Sequence, residues 1–255
     1  MASGIVATDV SLKYGELTVL SKFDLRLKRG QSLIVTGSNG SGKSSLLQVC
    51  AGLVPPSSGT VLLDGFKSDL TRPSSLFRRG VRRGFVFENG GLLANRTALD
   101  NVTLPLRYHA DLLELTEDAI DERARAALQE MRLTQAEYHS LPAHLSLGMR
   151  KRVSVARALA LNPNFVFFDD PMTGLDAETQ DLLRAILRRF REDTNVTMVI
   201  ATSDLAVLDY LELPVFELVN TFLLEKTQVE GFGQDVRVRR PGEDAARAPG
   251  KPVTG

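Results

Sequence analysis

The sequence contains the glycine-rich stretch GSNGSGKS at residues 37–44. It fits the pattern G-x-x-x-x-G-K-[ST], follows an apolar run typical of a strand and precedes a helical pattern. Glycines let such a loop bend until its N–H groups converge on phosphate oxygens, and the following helix directs its positive end at the same anion. We therefore expect the Lys43 ammonium to reach the β- and γ-phosphates of a nucleotide and the Ser44 hydroxyl to bind Mg²⁺. A plain glycine-rich turn is the alternative, but it leaves the full motif unexplained.

Short apolar runs on both sides of this loop predict the strands of an α/β sheet. Ser32 to Val35, Phe165 to Phe168 and Thr197 to Ala201 lack in/out alternation, as buried parallel strands do. Each run ends in small or polar residues, where open α/β sheets bind their ligands. Leu17 to Leu27 and Gly59 to Leu63 alternate better, so we expect a flanking antiparallel sheet.

Apolar spacing predicts helices, and composition predicts a tail. An amphipathic helix is expected from Glu117 to Met131 with Thr116 as its N-cap, and a second helix follows Ala177. The second helix should turn the following residues inward: Leu182, Leu183, Ile186, Leu187 and Phe190. Residues 239–255 are rich in Pro, Gly, Ala and charge, which predicts a disordered tail.

NFVFFDD, residues 164–170, reads as an apolar strand that ends in two carboxylates. Asp169 suits Mg²⁺, and Asp170 could polarise an attacking water molecule. Acidic residues at the end of a buried strand can also merely cap the next turn. The phosphate loop upstream favours the catalytic interpretation.

LSLGMRKRVSVARAL, residues 145–159, predicts a helix that Ser146 caps and that begins near Gly148. A capped N-terminus beside small residues can bind an anion. Taken alone, the stretch reads as an ordinary basic amphipathic helix carrying Arg150, Lys151, Arg152 and Arg157. Its place between the phosphate loop and the carboxylate strand gives it a more specific meaning.

Composition argues against several classes of protein. Lys+Arg and Asp+Glu both total 31, so no net charge draws the chain toward nucleic acid or acidic lipid. The run Arg78, Arg79, Arg82 and Arg83 is the best local basic patch, and a solvated loop or strand edge is its ordinary interpretation. Cys50 is the only cysteine, which indicates a reducing compartment. No secretory signal is visible, and no apolar run approaches the roughly 20 residues that span a bilayer.

The order of these motifs resembles that of ABC-type ATPases over nearly all of the chain up to about residue 235. An aromatic residue, Tyr14, precedes the phosphate loop. A Q-loop region at residues 84–90, the signature stretch, the carboxylate strand, a D-loop at residues 174–176 and a switch position, Ser203, then follow in order. FENGGLLANRTALDNVTLPLRYH and LSLGMRKRVSVARALAL further resemble the ATPases of Mla/Mce-type phospholipid transporters.

The resemblance implies a P-loop NTPase of ABC type. The nucleotide-binding domain would span residues 1–238, with a mostly parallel core sheet, a flanking antiparallel β subdomain and an inserted helical subdomain at about residues 92–160. The implied catalytic residues are Asp170, Ser203 and Glu88, and the implied Mg²⁺ ligands are Ser44, Asp169 and Glu88. ATP would contact Tyr14, Gly37, Ser38, Asn39, Gly40, Ser41, Gly42, Lys43, Ser44, Ser45, Ser146 and Gly148.

Partners and location also follow from the resemblance. Two ATP-binding subunits would sandwich two ATP molecules head to tail, each phosphate loop facing the other subunit's Ser146 and Gly148. Closure of that dimer would drive an integral membrane permease from the cytoplasmic face of the inner membrane. A lipid-binding protein would complete the assembly, and nucleic acid would have no part in it.

Four positions depart from the residues usual in the family. Asp170 stands where a glutamate is usual, and Ser203 stands where a histidine usually touches the γ-phosphate. Glu88 replaces a glutamine, and Leu147 replaces a signature glycine. Loss of one transition-state donor typically lowers the rate by about a hundred- to a thousandfold, and such losses in one site are not additive.

Two functions therefore stay open at this stage. The chain is a slow transport ATPase for phospholipid or another hydrophobic substrate, or it is a catalytically weak regulatory subunit paired with a more complete ATPase. An ABC-type ATPase of DNA repair or translation is disfavoured, since neither a long coiled-coil insertion nor a tandem second half is visible. The transported molecule, the transport direction and the choice between homodimer and heterodimer are not encoded here.

Overall fold

The computed structural model describes residues 4–227, so the tail expected at residues 239–255 lies outside the described part of the chain. Within the described range the chain forms ten strands and seven α-helices. The strands are β1 (Gly4–Tyr14), β2 (Leu17–Lys28), β3 (Ser32–Thr36), β4 (Ser58–Leu63), β5 (Phe66–Lys67), β6 (Arg83–Val86), β7 (Phe165–Asp169), β8 (Thr197–Ala201), β9 (Val215–Val219) and β10 (Phe222–Thr227). The helices are α1 (Lys43–Cys50), α2 (Ala98–Tyr108), α3 (Ala110–Leu113), α4 (Glu117–Glu130), α5 (Gln135–Tyr138), α6 (Leu147–Leu159) and α7 (Ala177–Glu192).

A six-stranded sheet in the order β10-β9-β3-β8-β7-β6 forms the centre of the fold. Its neighbours from β9 to β6 pair in parallel, and only β10 runs antiparallel, against β9. Every residue of β3, β7 and β8 is buried, so the three apolar runs are the parallel strands that the sequence predicted. The strands β9 and β10 were not predicted.

A second sheet in the order β2-β1-β4-β5 is antiparallel throughout. It contains β2 and β4, which the alternating segments predicted, and β1, which they did not. The β1–β2 pairing is interrupted by register shifts near Val10 and Leu12, and irregularity of this kind weakens the sequence signal of a strand.

The central sheet lies between two layers because alternate residues of each strand face opposite sides. Phe165 and Phe167 pack with α1 and the antiparallel sheet. Val166 and Phe168 pack with the helices α2, α4, α6 and α7. The helices α2 to α6 lie within residues 98–159, inside the segment where a helical subdomain was expected.

The helices begin near the predicted residues. Thr116 caps α4 by accepting a hydrogen bond from the Ala119 N–H at 3.3 Å. Ser146 caps α6 by accepting one from the Met149 N–H at 3.2 Å. On α7 the predicted inward residues are buried, except Leu182, which is half-buried.

The arginine run does not form one exposed patch. Arg83 lies on the edge strand β6 and donates to the Ala51 carbonyl at 2.6 Å, while Arg79 lies over the Phe66 ring at 4.6 Å. The ordinary interpretation as a strand edge therefore holds for Arg83. Among residues 4–227 no helix combines the length and apolar character that crossing a bilayer requires.

Parallel pairing brings the ends of four strands to one edge of the central sheet. The loop after β3 is the phosphate loop. Glu88 lies in the loop after β6, Asp170 in the loop after β7 and Ser203 in the loop after β8. Ligands of open α/β sheets bind at this carboxyl edge. The fold thus collects at one place residues that are far apart in sequence.

Asn101 fixes the loop that joins Glu88 to the helical layer. Its side chain is fully buried, and its Oδ1 accepts from the Leu93 N–H at 2.8 Å. Its Nδ2 lies 2.9 Å from the Thr97 carbonyl oxygen and 3.1 Å from that of Arg96. One side chain thereby satisfies backbone groups on both sides of the loop.

We expect Asn101→Ala to lower the free energy of unfolding by about 1–3 kcal/mol, because buried backbone groups lose their partners. Chemical denaturation of the purified chain measures this change. Asn95→Ala, an exposed amide in the same loop, is the matched control and should shift stability by no more than about 0.5 kcal/mol. Equal effects of the two variants would show that the buried amide does not hold the loop.

Candidate functional site

The phosphate loop at residues 37–44 joins β3 to α1 through backbone conformations that only glycine adopts easily. Gly37, Gly40 and Gly42 have φ values of 147°, 78° and 101°. A Cβ at Gly42 would lie 2.7 Å from Cγ1 of Val19, and one at Gly37 would lie 2.7 Å from the Leu218 carbonyl oxygen. Gly37 and Gly42 are therefore required both by dihedral angle and by space, whereas Gly40 is required by dihedral angle alone.

The Lys43 ammonium lies inside the loop rather than in solvent. Its Nζ donates to the Gly37 carbonyl at 2.8 Å and to the Ser38 carbonyl at 2.9 Å. Burial lowers the pKa of Lys43, and the carboxylates of Asp170, Asp169 and Glu88 oppose that shift. The ammonium group therefore lies within the loop, and its contact with phosphate stays a prediction.

Ser44 and Asp169 form a direct pair between α1 and β7. The Ser44 hydroxyl donates to Oδ1 of Asp169 at 3.0 Å, and Asp169 is 5% exposed. Burial raises the pKa of Asp169 more than the Ser44 hydrogen bond lowers it. A hydroxyl beside a buried carboxylate is the oxygen donor set that suits Mg²⁺, which often binds one or two protein oxygens together with substrate phosphates. In keeping with so sparse a set, residues 4–227 hold no cluster of three or more His, Cys, Asp or Glu side chains with metal-binding geometry.

The Asp170 carboxylate accepts a hydrogen bond from one hydroxyl group and lies near a second, and the sequence indicated neither of them. Thr173 donates to its Oδ1 at 2.8 Å, and Thr202 lies 3.4 Å from the same oxygen. The Asp170 backbone has a φ of 43°, and its N–H donates to the Ala201 carbonyl at 2.8 Å. Thr173 follows Asp170 by three residues, so a turn motif could have suggested it, whereas Thr202 directly follows the neighbouring strand β8.

A cleft of about 580 Å³ brings most of the predicted site together. Its lining comprises Val19, Asn39, Gly40, Gly42, Lys43, Ser44, Ser45, Glu88, Asp169, Asp170, Thr173 and Ser203. Gly37 and Ser38 line an adjoining cleft of about 510 Å³, which Asn39 and Ser203 also line. Ser41 lies in the loop with its Oγ buried and, among the described residues, without a hydrogen-bond partner. All three predicted catalytic side chains thus line the cleft that contains the phosphate loop.

Tyr14, Ser146 and Gly148 lie outside this cleft. Tyr14 ends β1 and is 51% exposed. Gly148 is buried in the first turn of α6, where an added Cβ would meet Oδ2 of Asp176 and Oγ1 of Thr179 at 3.0 Å each. The nucleotide contacts expected of these residues involve a second subunit or the open rim of the site, and they stay predictions.

Leu147 packs against the D-loop of its own chain. A Cβ added at Gly174 would lie 3.0 Å from Cδ2 of Leu147. The side chain that replaces the usual signature glycine therefore lies beside Gly174 and is half-buried.

Lys151 is a residue at the site to which the sequence gave no special role. It is 1% exposed, and its Nζ contacts the carbonyl oxygens of Phe87, Glu88 and Asp170. Burial lowers its pKa to about 8, against the pull of the carboxylates of Asp170, Asp169 and Glu88. In the sequence it is one of four cations on a basic helix, and only the fold shows which of them is buried.

These features define a class of protein. A glycine-rich phosphate loop at the carboxyl end of β3, with its serine hydrogen-bonded to the carboxylate that ends β7, makes the chain a P-loop nucleoside triphosphatase. The family model described as ABC transporter matches residues 20–173. The chain belongs to this family, as the ATP-binding, ATP-hydrolysing subunit of a transporter.

Similar proteins support the family and leave the transported substrate open. The intermembrane phospholipid transport system ATP-binding protein MlaF of Haemophilus influenzae is 31% identical over 220 residues, which cover 81% of this chain and 78% of that protein. The sulfate/thiosulfate import ATP-binding protein CysA of Mycobacterium tuberculosis is 36% identical over 208 residues, but these cover only 56% of its length. The solved dimeric cassette MJ0796, bound to ADP and phosphate, has a TM-score of 0.80 and 29% identity, covering 89% of this chain and 100% of that one.

We expect Lys43→Ala to weaken binding of Mg-ATP at least tenfold, because hydrogen bonds to a charged group contribute about 1.5–3 kcal/mol each. Isothermal titration calorimetry with the purified chain measures the dissociation constant. Lys67→Ala, which removes an exposed lysine on β5, is the matched control and should bind like the unmodified chain. Indistinguishable binding by the two variants would contradict a phosphate contact of Lys43.

Proposed function

We propose that this chain binds Mg-ATP in the cleft at the carboxyl edge of the central sheet and powers a phospholipid transporter. The observation that carries the nucleotide site is the 3.0 Å hydrogen bond between Ser44 and Asp169, which joins the phosphate loop to the carboxylate strand. Phospholipid, or another hydrophobic substrate, is supported by the resemblance of residues 87–109 and 145–161 to Mla/Mce-type ATPases and by the similarity to MlaF. The similarity to a sulfate/thiosulfate importer gives the alternative substrate class against which phospholipid is tested below.

Each residue of the cleft has a role that follows from its chemistry. The N–H groups of residues 38–45 cradle the phosphates, and Lys43 neutralises the β- and γ-phosphates. Ser44, Asp169 and Glu88 would hold Mg²⁺, which offsets charge on the phosphates when bound. Tyr14 would stack on the adenine from the end of β1.

Hydrolysis would use the Asp170 carboxylate and the Ser203 hydroxyl, which line the same cleft. Asp170 polarises the attacking water, and Thr173 orients the Asp170 carboxylate through the hydrogen bond at 2.8 Å. Ser203 donates a single hydrogen bond toward the γ-phosphate. Because Asp170 is one methylene shorter than glutamate and Ser203 reaches less far than histidine, we expect slow turnover.

Transport would follow from closure of two ATP-binding subunits. Ser146 and Gly148 of one subunit cover the nucleotide in the other, and hydrolysis reopens the pair. From the cytoplasmic face of the inner membrane, closure drives an integral membrane permease that moves the substrate. A lipid-binding protein passes the substrate to or from the permease. Nucleic acid has no part in this function.

A second candidate function is favoured by the clustering of the departures. Asp170, Ser203 and Glu88 all line one cleft. Leu147 occupies the position of a signature glycine and lies beside Gly174 of the same chain. In this alternative the chain is a regulatory nucleotide-binding subunit whose partner is a more complete ATPase. The two functions differ in the turnover of the purified chain.

We expect the double change Asp170→Glu and Ser203→His to raise kcat by about a hundredfold, since it restores the reach of the base and a donor to the γ-phosphate. Steady-state release of phosphate by the purified chain, alone and with its permease, measures kcat. The same double change in a Lys43→Ala chain is the control and should show no gain. An unmodified chain that already turns over several ATP molecules per second would contradict the expected slowness.

Phospholipid as substrate predicts ATP-dependent lipid transfer by the assembled transporter. The tagged chain is purified with its permease in mild detergent and reconstituted into vesicles that contain a fluorescent phospholipid. We expect loss of the label to acceptor vesicles only with Mg-ATP, and no loss when the chain carries Lys43→Ala. ATP-dependent uptake of labelled sulfate in place of lipid transfer would identify a different substrate class.

A further inference from the structure

Lys151 is buried, unlike a surface lysine of a basic helix. It lies in the second turn of α6 and is 1% exposed. An ammonium group is expensive to bury unless hydrogen bonds and opposite charges replace its water. The surroundings of Lys151 supply both.

Backbone carbonyl groups satisfy the three donors of the Lys151 ammonium. Its Nζ lies 2.6 Å from the Glu88 oxygen, 3.0 Å from the Asp170 oxygen and 3.2 Å from the Phe87 oxygen. Glu88 follows β6 and Asp170 follows β7, and these two strands are neighbours in the central sheet. One cation from the helical layer therefore joins the two loops that carry candidate catalytic carboxylates.

The Asp170 carbonyl is where such a bond matters most. With a φ of 43° the Asp170 backbone is in the left-handed region, which residues other than glycine adopt less easily. The N–H on one side of the residue is bonded to Ala201, and the carbonyl on the other side is bonded to Lys151. These two bonds fix the direction in which the carboxylate leaves the chain.

We propose that Lys151 is a positioning residue for ATP hydrolysis. It acts through Asp170 and Glu88, because its ammonium group binds the backbone carbonyls of both residues and fixes the distance between them. The two carboxylates are thereby oriented toward the terminal phosphate and the attacking water. This inference rests on the proposed function, because it requires Asp170 to act in the hydrolysis of ATP. It assigns a role to a residue that need not contact the nucleotide.

Arg157 provides a matched comparison on the same helix. Its guanidinium donates to the Gly91 carbonyl at 2.7 Å and to the Gly90 carbonyl at 3.0 Å. It therefore anchors the same loop after β6, but it has no bond to Asp170 among the contacts of the described residues. Removal of Arg157 tests loop anchoring alone, whereas removal of Lys151 also tests the link to Asp170.

The experiment compares kcat, KM and the dissociation constant of Mg-ATP in the full chain. We expect Lys151→Met to lower kcat by about a hundredfold, the scale on which misplacement of a reacting group by about 1 Å acts. KM and the dissociation constant should stay within about twofold, because the phosphate loop is untouched. Lys151→Arg, which keeps the charge and the donors, should recover at least about tenfold of the lost kcat, and Arg157→Met should lower kcat by less than about fivefold.

A double variant tests whether Lys151 acts through Asp170. In an Asp170→Asn chain, which turns over more slowly, the further change Lys151→Met should alter kcat by less than about twofold. An additional hundredfold loss in that background would overturn the proposed route. If Lys151→Met does not melt cooperatively, Lys151→Gln, which keeps an N–H donor of similar reach, gives the same comparison.

Three further results would overturn the inference. They are an unchanged kcat in Lys151→Met, a loss confined to binding, and an equal loss of kcat in Arg157→Met. Each of these leaves the proposed function intact, because the unmodified chain would still bind and hydrolyse ATP. An unmodified chain that binds Mg-ATP without turnover would instead remove the catalytic part of the proposed function, and this inference with it.

Discussion

Parallel pairing of β3, β8, β7 and β6 is the constraint on which the site depends. The register aligns Val35 and Asp169 with Ala201, so the strands end together and their loops leave at one edge. A slip of one residue would turn Phe167 and Phe168 to the wrong layers, which two separate cores oppose. Core packing on both faces of the sheet thus places the phosphate loop next to its carboxylates.

The charges at this edge form one interacting set. Burial lowers the pKa of both Lys43 and Lys151. The carboxylates of Asp170, Asp169 and Glu88 oppose that shift at both lysines by electrostatic attraction. Three carboxylates and two ammonium groups leave one more negative than positive charge, which favours a bound cation beside Ser44. The family's usual glutamine at the position of Glu88 would remove that excess, so this departure changes the electrostatics of the whole site.

Much of the fold and most of the site could be predicted because their signals are local. The motif at residues 37–44 is contiguous, and the strand that ends in Asp169 and the strand that precedes Ser203 are short apolar runs. The strand β1 was not predicted, because its register shifts interrupt the alternation of apolar and polar residues. The strands β9 and β10 were not predicted either, because they carry no recognised sequence motif. Thr202 was missed because it contacts Asp170 across the sheet, 32 residues away in the chain.

Residue identity and spacing define the class of protein, the phosphate loop and the positions that depart from the family, so these can be read from the sequence. Which cation of the basic helix at residues 147–159 is buried becomes known only from the folded structure. Helical periodicity states which residues share a face, but not which neighbour that face meets. The contacts of Lys151 with Glu88 and Asp170 span 63 and 19 residues, so they exist only once the helical layer packs on the edge of the sheet.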